Sequence, residues 1–126
     1  MGHRPGESED QEAIEETAGD VAVFDLRALT HFQDERPYVQ VLSESDAARV
    51  LLFAFQAGQQ LKEHRTTSQI LVQALRGRIT FISEGSSVEL HAGMLLQLEA
   101  DIPHSVVART NAVMLLTMTP NPSQVR

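Results

Sequence analysis

The chain has 126 residues, 42% of them hydrophobic and 5% aromatic, the composition of one globular domain packed mainly with Leu, Val and Ala. Seventeen acidic against ten basic residues leave a net charge of -7, which argues against nucleic acid as a partner. With no cysteine there is no disulfide framework, no thiolate nucleophile and no Cys-ligated zinc.

Residues 1–20, MGHRPGESEDQEAIEETAGD, are polar and acidic, and bury too little apolar surface to offset the entropy of ordering them. They are expected to form a disordered arm, with at most a short helix over Glu9–Thr17 capped by Ser8. No apolar signal core precedes the body, and the longest apolar run, Val50–Phe55, is far short of a membrane span. The expected location is therefore cytoplasmic, with no membrane partner.

Val21–Phe32 mixes apolar and polar positions in a way that suits a short strand followed by a helical turn. From Pro37 to Thr119 the apolar residues recur at period two. Strands are predicted at Tyr38–Leu42, Ala48–Ala57, Thr66–Leu75, Ile79–Ser83, Val88–Leu90, Met94–Leu98, His104–Ala108 and Val113–Met118. Val50–Phe55, unbroken and apolar, predicts a strand buried on both faces. Turns fall at Ser43–Asp46, Gly58, Gly77, Gly85 and Asn111. About eight or nine short strands at this spacing predict an all-β sandwich or barrel over residues 21–119, followed by a frayed tail over 120–126.

Two stretches carry chemistry. Gly58–Gly77 (GQQLKEHRTTSQILVQALRG) and Gly93–His104 (GMLLQLEADIPH) each combine a glycine turn, a histidine and alternating apolar residues. They resemble the two motifs of the cupin family. Gly58, His64 and Gly77 match the first motif in spacing, and Gly93 and His104 match the second. Thr66 stands where a second histidine belongs and Ile70 where a glutamate belongs; Glu99 and Asp101 replace a proline and a glycine. The resemblance implies a single cupin-type double-stranded β-helix, a jelly-roll-like barrel. The run HRTTSQILVQALRG, with PHSV and MLLTM, is similar to small one-barrel cupins that are commonly dimers of unassigned function.

On this reading His64, Thr66, Gln69 and His104 line a pocket. Two imidazoles titrate in a range useful for acid–base work, and they are also metal ligands. Zinc, iron, manganese, nickel or copper are the divalent metals that two histidines suit, with His64 and His104 as two of the four usual ligands. The leading expectation is a barrel that binds or senses a small molecule. The alternative is a metal-dependent enzyme of dioxygenase, isomerase or lyase type. A third, structural reading has Phe53, Phe55 and Phe81 filling the interior. No G-x-S-x-G elbow, phosphate loop or dinucleotide fingerprint is present. The open edge at Tyr38–Leu42, with apolar residues on both faces of Val50–Phe55 and Ile70–Leu75, predicts a homodimer.

Overall fold

A computed structural model describes residues 14–16 and 20–122. These fall into two compact units, divided between His31 and Phe32.

In the first unit, β1 (Ile14–Glu16) runs antiparallel to β2 (Ala22–Phe24). Residues 14–16, expected within a disordered arm or a short helix, are thus strand. Pairing with β2 gives their backbone groups partners across the ladder. The remainder of the acidic arm lies outside the described residues, as do residues 123–126 of the tail. A one-turn helix, α1 (Leu26–Leu29), follows as expected. The Asp25 side chain accepts a hydrogen bond from the Ala28 N–H at 3.3 Å, and the Thr30 hydroxyl donates to the Leu26 carbonyl at 2.7 Å.

The second unit is all β: β3 (Tyr38–Glu44), β4 (Arg49–Phe55), β5 (Gln60–His64), β6 (Gln69–Arg76), β7 (Arg78–Ser83), β8 (Ser86–His91), β9 (Leu95–Leu98), β10 (His104–Ala108) and β11 (Ala112–Thr119). They form a five-stranded sheet in the order β3-β4-β11-β6-β9 and a four-stranded sheet in the order β5-β10-β7-β8. Every pairing is antiparallel. Sequence neighbours such as β4 and β5, or β5 and β6, belong to different sheets, so the chain winds between the two layers. That is the jelly-roll path of a double-stranded β-helix.

Register explains the core. Met114 of β11 lies opposite Phe53 of β4 and Ala74 of β6, and Leu116 lies opposite Leu51 and Val72. Residues directly opposed in a ladder share a face, so these side chains form one inward surface. On the other sheet Val106 of β10 lies opposite Phe81 of β7 and Leu61 of β5. One hydrophobic cluster draws on both surfaces. Leu51 to Phe55 are buried throughout, as the unbroken apolar run predicts.

Candidate functional site

The two histidines meet because of ladder register. His104, the first residue of β10, pairs directly with His64, the last residue of β5, and with Ser83 of β7 on its other side. From there β10 advances two residues to Val106 while β5 retreats three to Leu61. This one-residue bulge in β5 matters for the site. In a regular strand, residues three apart face opposite ways; the extra residue lets Leu61 and His64 face the same way.

The two rings lie 4.5 Å apart, centroid to centroid, inclined at 58°. His104 also stacks on Phe81, with centroids 5.4 Å apart and planes within 12°. The environments of the rings differ. His104 is 5% exposed, whereas His64 lies at the sheet edge and is open to solvent. Burial pushes the His104 imidazole below its ordinary pKa; the hydrogen bond to the Ile102 carbonyl opposes that shift, and the nearby His64 ring adds to it.

Both rings are anchored in the same way. Nδ1 of His64 lies 3.0 Å from the Lys62 carbonyl oxygen, and Nδ1 of His104 lies 3.0 Å from the Ile102 carbonyl oxygen. A carbonyl only accepts, so each Nδ1 carries the proton, and each neutral ring keeps its lone pair on Nε2. Among the described residues no hydrogen bond engages either Nε2.

Beside the pair lies a cavity of about 170 Å³ between the inner faces of the sheets. Its walls are Phe53, Leu61, Ile70, Val72, Phe81, Val106, Met114 and Leu116, with His64 and His104. The ring nitrogens are the only side-chain N or O atoms among these residues. Phe53 and Phe81 line this hollow and leave it open, contrary to the reading in which they fill it, while Phe55 is buried in the core and is not among the walls.

Of the four residues expected in the pocket, His64 and His104 line this cavity, while Thr66 and Gln69 are not among its walls. Alternation predicts a strand from Thr66, but β6 starts only at Gln69. Thr66 sits in the β5–β6 turn, its hydroxyl accepting from the Ser68 N–H at 3.3 Å and its carbonyl from the Asp101 N–H at 2.8 Å. Gln69 has the opposite parity to Ile70, which does line the cavity. Val106 shares the face of His104, as alternation predicts, whereas Val72, Met114 and Leu116 are wall residues that the sequence reading does not single out. The signal for Val72 is its two-residue spacing from Ile70; Met114 and Leu116 sit in the unbroken apolar run of β11 and reach this face only through ladder register. Leu61 could not be found that way, because the bulge shifts its parity.

The donor set bears directly on metals. Two imidazoles backed by carbonyls on Nδ1 have the supporting arrangement of metal-ligating histidines. Tight transition-metal sites, however, use three or more protein ligands. Among the described residues no group of three or more His, Cys, Asp or Glu is placed to hold an ion. Where the resembled motif carries further ligands, this chain has a turn hydroxyl at Thr66 and hydrocarbon at Ile70. These residues do not fit a firmly held metal.

Two packed antiparallel sheets, wound as a double-stranded β-helix around a histidine-bearing hollow, define a cupin-type barrel. The chain belongs to the cupin family: the model described as "Cupin domain" matches residues 51–119. Solved structures agree on the fold. An rmlc-like cupin protein from Desulfovibrio desulfuricans is 27% identical, with 73% of this chain and 90% of that one covered at a TM-score of 0.69. The TT1209 protein of Thermus thermophilus is 25% identical, with coverage of 79% and 98% and a TM-score of 0.74. A conserved protein of unknown function from Streptococcus pyogenes is 21% identical, with coverage of 83% and 90% and a TM-score of 0.72, a likeness of fold alone. No curated protein matches. Among the described residues no helix is long and apolar enough to cross a membrane.

Proposed function

We propose that this cupin barrel binds a small molecule in the cavity beside His64 and His104. The observation that supports this reading is the hollow itself: about 170 Å³ of space between the sheets, hydrocarbon-walled except for two imidazoles whose Nε2 atoms are open. Interiors are ordinarily packed without voids of this size, and a chain stabilised only by packing would gain from filling it. The metal-enzyme alternative rests on the same two nitrogens and lacks a third ligand.

Val106→Phe tests the reading. Val106 is buried and lines the cavity, so the ring enters existing space. The expected cost is below about 1 kcal/mol, against about 1–3 for an ordinary overpacked core. Small-molecule binding, read by ligand-observed NMR and by thermal shift on tag-free protein, is lost in the variant. Elemental analysis of the same protein supplies the opposing outcome. Near-stoichiometric metal that disappears in the His64→Ala, His104→Ala double variant overturns the binding reading in favour of the metal site.

We also propose a homodimer formed through β3. This strand is an edge of the five-stranded sheet, and its Val39 and Val41 are 44% and 41% exposed. An open edge carrying exposed β-branched residues is a template for a second strand. Sedimentation equilibrium is expected to give twice the 13.9 kDa chain mass; the monomer mass removes the proposal.

A further inference from the structure

The polar chemistry of the cavity selects among ligands more sharply than its size does. Each ring uses its Nδ1–H on a backbone carbonyl, so what each offers the hollow is an acceptor, not a donor. Among the described residues no Lys or Arg lines the cavity to pair with an anion, and no Asp or Glu lines it to pair with a cation. An ion entering this hydrocarbon surround loses its hydration without a counter-charge. The volume sets the other limit, because an apolar cavity of about 150 Å³ stays dry and takes up a molecule the size of benzene.

We propose that the cavity takes a compact, uncharged molecule, about one ring in size, carrying a single hydroxyl that donates to Nε2 of His104 or His64, with its hydrocarbon body against Phe53, Phe81 and Met114. This class, the small phenols and hydrophobic alcohols, rests on the binding function proposed above and goes further by assigning the polarity of the recognised group. His104 is the buried member of the pair, held flat against Phe81, and so presents its acceptor in a fixed direction. His64, exposed at the sheet edge 4.5 Å away, stands where a ligand enters. A hydroxyl between two acceptors donates to one at a time, so either ring alone retains part of the selectivity.

The test compares four single-ring probes against the full chain: 4-methylphenol, toluene, benzoate and benzylamine. Binding is read at pH 8 by ligand-observed NMR and calorimetry, alongside the ¹⁵N resonances of the imidazoles. Methylphenol is expected to bind about tenfold more tightly than toluene, the worth of one hydrogen bond plus the avoided burial of an open acceptor. The two ions bind more weakly than either. Nε2 resonances move on adding methylphenol and stay in place with toluene. His64→Asn and His104→Asn keep a side-chain amide that can reach the carbonyl but remove Nε2. In the double variant the preference for methylphenol over toluene disappears while toluene still binds, a result that loss of folding cannot imitate.

Equal binding of methylphenol and toluene by the unaltered chain overturns the hydroxyl assignment and leaves the binding function standing, as does tighter binding of either ion. Failure of all four probes to bind overturns both.

Discussion

The β7–β10 ladder has two ends, and they are built to different rules. At the Gly77 end, backbone and side-chain groups are knitted together. The Arg109 N–H donates to the Arg78 carbonyl at 2.9 Å, the Arg78 N–H to the Thr110 hydroxyl at 3.0 Å, and the Ala57 N–H to the Asn111 side chain at 2.9 Å. The Arg109 guanidinium donates to the Thr80 hydroxyl at 2.7 Å, and the Gly58 N–H to the Ala108 carbonyl at 2.9 Å. At the His104 end, the two imidazoles line a hollow, and among the described residues no hydrogen bond engages either Nε2. The first end closes the barrel, and on the binding function proposed above the second is left to take a ligand. Ring nitrogens that no protein group engages are free to meet a ligand, which makes this end the candidate for recognition.

Substitutions can break this contrast. The largest effect is expected at the closed end. Gly77 has φ +74°, and a Cβ there would collide with the Asn111 backbone carbonyl and the Thr110 hydroxyl. Gly77→Ala is expected to cost about 2–3 kcal/mol in urea unfolding, from left-handed strain and a backbone that cannot retreat. An unchanged midpoint would mean that this end is not a rigid closure.

A smaller effect is expected from pH at the receptive end. Because burial lowers the His104 pKa, the unfolded chain takes up a proton near the ordinary value of about 6.5 that the folded chain still refuses. Stability is therefore full above that pH and falls as pH drops through the window between the two values. Thermal unfolding measured from pH 8 to pH 5 should fall less steeply for His104→Asn than for the unaltered chain. Parallel curves would detach His104 from the acid response. The smallest effect is expected for His64→Asn at pH 8. His64 is exposed and its Nε2 holds nothing, so the unfolding free energy should stay within about 0.5 kcal/mol. A larger loss would show that this end, too, is part of the brace.

Particular residues show how far the chain could be read before folding. Most strands over Tyr38–Thr119, the turns at Gly77 and Gly85, and the doubly buried Leu51–Phe55 followed from alternation and turn chemistry, because these are local rules, but β5 (Gln60–His64) falls outside the predicted spans. Thr66 shows the limit. A threonine two residues after His64 reads as the next inward position, yet its hydroxyl caps the Ser68 N–H and the chain turns there. Leu61 shows the converse, since only the bulge brings it to the cavity.

The amino-acid sequence by itself determined the all-β class, the winding implied by its two glycine-and-histidine stretches, and the histidines that a site would use. Only the tertiary structure decided that these rings stand 4.5 Å apart, that both Nδ1 atoms are held by carbonyls, and that the remaining wall is hydrocarbon. The reason is physical. Strand period and turn preference act over a few neighbouring residues, whereas the pairing of residue 64 with residue 104, and the bulge beside it, comes from register between strands 40 positions apart.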